Sequence, residues 1–522
     1  MRKLSLYITL IVSVLFSSCD DFLSAYSQDM VIPKNVSDLD ELLLGDVYIA
    51  SSEVSSGPSG ARVCGFLNIL DDDLNVGKGD PLYNNTTMGW MNCVASMFGY
   101  YAWQLEVGVN YNGAVVANDA ATWNDLYYRI NVINVILDEI VDLPHETDED
   151  NATYYRVLGE SHFLRAAFYF YLANLYGDAY APSTCNTKLC VPLKLTPYVE
   201  HDKDKETQFK RATVKEVYDQ IVSDLQKAEE CFAISPQKNE HRLYRASMES
   251  VNLLMSRVYL YMQEWELAEQ KADAVMKSKL VRLASLSSLG ENVDFLTENN
   301  SEIIFSQGSN SLVTDGIFNG GPGDFCVSME LRKMYSEKDR RAACFFGVAS
   351  NDSISLSTKY KRGVYRARVS DVFAMRLSEA YLNKAEACAM QSGKESTALS
   401  LLNTLRSNRI EDYADETYSG EELVKQIRDE RRKELCFEGH RWFDLRRYAV
   451  CEKYPFSKKI IHVFNACGDN TAYLYTQVFC LNEGDYAYTF SIPKDVIDFD
   501  TVPMENNPRE ERKPIEGEMT NN

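Results

Sequence analysis

SGEELVKQIRDERRKELCFEGHRWFDLRRY, residues 419–448, decides how this chain is read. Ser419, with Glu422 three residues on, has the form of a capping box. Leu423, Ile427, Glu430 and Glu434 then recur at helical spacing, with Leu435 beside the last. Gly439 breaks the pattern, and Trp442, Phe443, Leu445 and Tyr448 begin a second amphipathic piece. The stretch predicts two helices joined by a tight turn. Among the apolar positions crowd Arg431, Arg432, Glu438, His440, Arg441, Asp444, Arg446 and Arg447. Glu438, His440 and Asp444 are the residue types of an acid/base set. Ion-pair networks present the same residue types, and a structural network beneath docked aromatics is the reading adopted here.

Upstream, Ala374, Leu377, Tyr381, Ala385 and Cys388, then Ser392–Gly393, then Ala398, Leu402 and Leu405 read as a helical hairpin. Leu254, Val258, Tyr261 and Trp265, followed by Ala268, Ala272 and Val275, repeat that design about 120 residues earlier. Small Ala residues where helices approach closely are a tetratricopeptide trait. The gap predicts helix pairs separated by insertions, not a tandem array. Further out, Thr213 and Glu216 form another capping box, ahead of Val214, Val217, Ile221, Leu225 and Ala228. Trp123 to Ile140 and Val157 to Leu175 make two more apolar faces, stopped by Pro144 and Gly177. His162 on the second is read as a packed or capping histidine. At the front, Leu39, Leu42, Leu43 and Leu44 predict a short helix stopped by Gly45.

Two segments break this helical pattern, residues 51–120 and 281–369, and they are read as loop-rich insertions forming a ligand lobe. Aromatic faces on loops stack against flat ligands, with amides and carboxylates nearby for hydroxyls. Tyr83, Trp90, Asn92, Tyr100 and Tyr101 in the first insertion are therefore candidate ligand contacts, with Phe318 and Phe325 in the second. Trp103 is the weakest of the aromatic candidates in the first insertion. The Gly-rich run around Phe318 lacks the Lys-Ser/Thr ending of a phosphate loop. Asp71, Asp72 and Asp73 invite a calcium reading, but they lack the Gly and distal Glu of an EF-hand and read as an Asp-rich turn. No cofactor is expected. SEIIFSQ predicts a strand, and YAYTFSIPKDVID a late strand and turn within an otherwise irregular 455–522.

The chain begins with Arg2 and Lys3, an apolar run from Leu4 to Phe16, and Ser17, Ser18 and Cys19. That is too short to span a bilayer and has the layout of a cleaved leader over residues 1–18. Small residues ahead of a Cys make Cys19 the candidate lipidation site, anchoring a single body, residues 19–522, through acyl chains alone. The formal net charge is −22, which disfavours nucleic acid as a partner. Of 13 cysteines, Cys185 with Cys190 and Cys467 with Cys480 are close enough in sequence to pair, and most others read as small core residues.

ERRKELCFEGHRWFDLRR, residues 430–447, resembles the C-terminal signature of the SusD/RagB family of cell-surface nutrient-binding lipoproteins. Residues 38–48, 158–180, 329–343 and the Asn-Asn-Pro at 506–508 resemble further pieces of that family, in matching order. The family's Gly-Tyr after that Pro is Arg509–Glu510 here. The resemblance implies a mainly α, SusD-like fold: four tetratricopeptide-like helix pairs against a loop-rich lobe with a few short strands. It also implies an outer-membrane lipoprotein that captures a glycan, or in some members a peptide, and hands it to a SusC-like TonB-dependent transporter. It supplies no ligand-contacting residues. A lipoprotein glycosidase and a tetratricopeptide adaptor binding only proteins remain as alternatives; the first would need two carboxylates across a cleft.

Overall fold

The structure is a computed structural model that describes residues 33–49, 63–76, 97–197, 210–235, 243–286, 294–308, 310, 312, 325–346, 359–360, 369–467, 473–499 and 504–515. It is mainly helical. Helix α1 (Val36–Leu42) is capped by the Asn35 side chain and does not stop at Gly45; it continues as a π turn through Val47. Helices α2 (Ala121–Glu139) and α3 (Asp148–Tyr176) pack together, and α4 (Val214–Ile234) lies on α3. Thr213 and Glu216 close the expected capping box on α4. Helices α5 (Met248–Met262) and α6 (Trp265–Met276) follow as a hairpin on α4. Helix α7 (Leu377–Met390) then packs on α6, and α8 (Glu395–Ser407) and α9 (Gly420–Leu435) pack on α7. The two hairpins that lie far apart in sequence are thus neighbours in space.

Among the described residues, four two-stranded antiparallel ribbons decorate the helices. Strand β1 (Leu74–Val76) pairs with β5 (Phe325–Val327), β2 (Leu189–Pro192) with β3 (Arg211–Thr213), and β4 (Ile303–Ser306) with β6 (Ala374–Arg376). Strand β4 is the expected SEIIFSQ strand. The fourth ribbon, β7 (Ile460–Cys467) with β8 (Tyr473–Leu481), lies in a region read as irregular. The expected late strand is instead a 3-10 turn, Tyr486–Tyr488, held by Asp485 accepting from the Ala487 amide. Cys185 and Cys190 are buried and unpaired, with Cys190 packed beside Gly177, and Cys480 is likewise free.

The signature stretch becomes α9, a turn, and α10 (Arg441–Ala449). The Ser419 side chain makes no capping bond among the described residues, so the expected box does not form there. Phe437 and Gly439 both take positive φ in the turn, 57° and 72°. A Cβ on Gly439 would stand 3.3 Å from the Val372 backbone, so a side chain at this position meets both strain and crowding. The charges form the expected ion-pair network. Buried Glu434 accepts from Arg376 at 2.6 Å, Arg409 at 2.9 Å and Arg341 at 3.0 Å. Glu438 holds Arg376 and Lys359, and Asp444 holds Arg431 and Arg447. Glu386 grips Arg447 through both oxygens at 2.7 and 3.0 Å. His440 is buried among Arg257, Arg431 and Arg376; burial and those cations keep it neutral. Likewise, His162 packs against Asp224 at 2.7 Å.

This network sets the acid stability. Burial works against the charged Asp224 and Glu386, but hydrogen bonds from His162 and Arg165 outweigh it at the first, and Arg447 and Arg428 at the second, and hold both carboxyls at about 2. Glu434 is held well below its usual range in the same way. Between about pH 4 and pH 2 the unfolded chain therefore binds more protons than the native one, and stability is lost as pH falls through that window. Asp71 and Glu160 shift upward through burial and take up protons in the native state before the unfolded chain does; this opposes the trend near and above about pH 4 and fades as pH falls further and the unfolded chain is protonated too. Urea midpoints measured at pH 4, 3 and 2 should drop steeply in that order; equal midpoints would contradict the network as described.

Candidate ligand site

The ribbon β1–β5 organises the candidate site. In its antiparallel register Val76 faces Phe325. The chain leaves β1 at Val76 and enters β5 at Phe325, so the segments carrying Tyr83, Trp90 and Asn92 and carrying Phe318 attach at the same end of one ribbon. Those four residues, like Cys19, lie outside the described residues. The ribbon rests on a buried aromatic stack. Tyr101 lies flat on His462 at 4.2 Å and edge-on to Phe325 at 5.2 Å, and Trp103 stacks on the other side of the same histidine at 4.3 Å. The Tyr101 hydroxyl bonds Asn75 Oδ1 at 2.8 Å and the Val463 carbonyl at 2.9 Å. The two ring nitrogens of His462 stand 2.8 and 2.9 Å from the carbonyls of Tyr101 and Asp71; burial pushes its pKa down to about 4, so at neutral pH the ring donates to one of them.

Tyr101 and Phe325 are therefore supports beneath the ribbon, closed off from solvent. Trp103, the weakest candidate, is buried framework; its Nε1 donates to the Leu70 carbonyl at 2.9 Å. Tyr100 points elsewhere. It stacks on Phe66 at 4.3 Å and lines a separate cavity of about 250 Å³ with Phe490 and Arg509. Gly99 permits this turn, since a Cβ there would strike the Val107 carbonyl oxygen at 2.3 Å. A larger cavity of about 350 Å³ lies between α10 and the C-terminal strip, lined by Arg446, Lys458, Asp485, Tyr486 and Asn507. Arg446 is used up there: it caps the carbonyls of Asn174 and Gly177 at the end of α3 and bonds Thr489 Oγ1.

The carboxylates of Asp71, Asp72 and Asp73 come within 4.8 Å of one another. Each has a use. Asp72 takes Arg441 through both oxygens at 2.7 and 3.0 Å and Lys458 at 2.6 Å; Asp73 takes Arg432 at 2.7 Å; Asp71 accepts the Asp73 amide at 2.9 Å. Calcium takes six to eight oxygens. With two of three carboxylates committed to cations, this set does not fit that ion, and the trio serves to fasten the ribbon's base to α9 and α10. Asn75, His462 and Arg509 escaped the sequence reading. Asn75 and His462 sit in strands short on alternation, and Arg509 showed only as a departure from the closing motif.

Comparison with known proteins agrees with this architecture. A family model described as "SusD family" matches residues 345–512, and one described as "Starch-binding associating with outer membrane" matches residues 59–260. A SusD superfamily protein from Bacteroides thetaiotaomicron shares the fold at a TM-score of 0.66 and 20% identity, over 91% of this chain and 100% of that one. A SusD-like carbohydrate binding protein from Bacteroides vulgatus does so at 0.65 and 19%, over 89% and 96%. The fold is that of the SusD superfamily. SusD-like protein P25 of Formosa agariphila is 25% identical over 398 residues, 63% of this chain and 70% of that protein. Both family models and this relative are of the SusD type.

Proposed function

We propose that this protein is a lipid-anchored outer-membrane protein that captures an extracellular glycan and passes it to a SusC-like TonB-dependent transporter. One observation carries the reading: a single ribbon, braced from below by Tyr101, His462 and Trp103, gathers the attachment points of both aromatic-bearing segments. Such a base holds ligand-facing loops on a rigid support, which is how binding loops keep their geometry. The starch-binding description of one matching family model supports a glycan as ligand. Among the described residues no helix is long and apolar enough to cross a membrane, so attachment is assigned to acyl chains on Cys19. Capture proceeds without turnover in this reading; Glu438 and Asp444, the acids of the tempting acid/base set, are tied to arginines.

Calorimetric titration of the purified protein against a panel of polysaccharides and peptides tests the proposal. Saturable binding of one glycan class with no product released is the expected result. A peptide hit alone would move the protein to peptide capture, released sugar would make it a glycosidase, and transporter binding without either ligand would make it an adaptor. Trp90→Ala should weaken ligand binding by about tenfold or more while the unfolding temperature stays nearly unchanged. Unaltered affinity would remove Trp90 from the site.

A further inference from the structure

Arg509 is an anomaly. Arg341, Arg376, Arg409, Arg431 and Arg447 are buried and each rests on a carboxylate. Arg509 is only 8% exposed, yet none of its three guanidinium nitrogens has a hydrogen-bond partner among the described residues. Its guanidinium lies over the Phe490 ring at 4.8 Å. A cation–π contact satisfies the charge in part and none of the N–H donors. Burial and Arg512 push its pKa down to about 10, so it stays charged at neutral pH.

Beside it lies the cavity of about 250 Å³, walled by the Phe66–Tyr100 stack and Phe490. Glu106 and Asp119 stand on its lining, and Asp119 is exposed. No residue of β1 or β5 contributes to it. We infer that this cavity is a second binding site, for a compact monocarboxylate that carries hydroxyl or ammonium groups of its own. The carboxylate meets the guanidinium in the paired geometry the side chain is built for. The flat aromatic walls take the body of the ligand, and Glu106 and Asp119 accept its remaining donors while repelling a second negative charge. Arg509 lines this cavity, but its guanidinium nitrogens are screened from solvent, so binding needs the group to swing off Phe490 into that space. This site is independent of the reading given to the loops.

Calorimetry with D-glucuronate against D-glucose, and with a glycine tripeptide against its C-terminal amide, tests the inference. The expected result is that glucuronate, the free tripeptide or both bind, and the neutral twins do not. Glucuronate alone would identify a sugar acid, and the tripeptide alone a peptide carboxylate. R509M should weaken that binding by at least about tenfold without lowering the unfolding temperature, since the charge it removes is unpaired. D119N, on the exposed lining, provides a second readout: it relieves repulsion of the carboxylate and keeps an acceptor oxygen, so glucuronate should bind about two- to threefold tighter, while the tripeptide, whose ammonium loses an ionic partner, should not. Silence from both carboxylates, equal binding of a neutral twin, or unchanged affinity in R509M would overturn the site.

Discussion

Glu434→Gln is expected to destabilise the protein by about 3–5 kcal/mol, the usual cost of removing one partner from a buried ion pair. Three guanidinium groups, those of Arg341, Arg376 and Arg409, converge on this one carboxylate, and all four side chains are sealed from solvent. Gln keeps the shape and a carbonyl acceptor. It also turns an acceptor oxygen into an NH2 that faces donors, and it leaves a surplus positive charge with no water to spread into. Arg376 retains Glu302 and Glu438, and Arg409 retains Glu302, so the cluster survives in weakened form. Glu422→Gln on the exposed start of α9 is the control and should change stability by less than about 0.5 kcal/mol. Denaturant titration of both variants measures the difference; a Glu434→Gln cost below about 1 kcal/mol would mean the network is far better solvated than its burial implies.

Trp442→Ala should cost about 3–5 kcal/mol. The indole is fully buried at the start of α10 and stacks on Tyr488 at 4.8 Å. It joins the signature helix to the 3-10 turn, so its loss opens a cavity at a seam between elements. Its Nε1 has no hydrogen-bond partner among the described residues. Trp442→Phe therefore sacrifices volume and no bond, and should cost distinctly less than Ala. Full stability in Trp442→Ala together with lost ligand binding would reassign the residue from packing to recognition.

The helices were legible because their apolar periods are long and their stops are Gly and Pro. The signature network was legible in kind, since dense charges of both signs among buried positions have few other uses. Ribbon β7–β8 left a signal that went unused: two runs rich in Ile, Val, Phe and Tyr flank Gly468–Asp469–Asn470, a turn composition. The aromatics at 100–103 were harder. Tyr101 is buried against His462, 361 residues further along the chain, and local periodicity carries nothing about such a partner. The same distance hid the fate of Asp72 and Asp73. Ser419 shows the opposite failure, in which a sound local motif goes unused. Gly420 enters the helix at a φ of 56°, and the Ser side chain does not reach back.

The fastening of Asp72 and Asp73 to Arg441 and Arg432 has a consequence for how the chain is made. These bonds span sequence separations of 369 and 359 residues. The acids leave the ribosome long before the arginines exist. Until α9 and α10 emerge, the base of the first insertion has nothing to close against, and its buried carboxylates stay in water. Loop closure over such distances is slow and comes late. The seam at residues 71–73 is therefore among the last parts to set, and a nascent chain ending before Arg432 lacks the cations that close it. The proposed export to the cell surface calls for a chain that is still open. Storing its closing bonds in its last hundred residues keeps it in a transportable state until synthesis is nearly done.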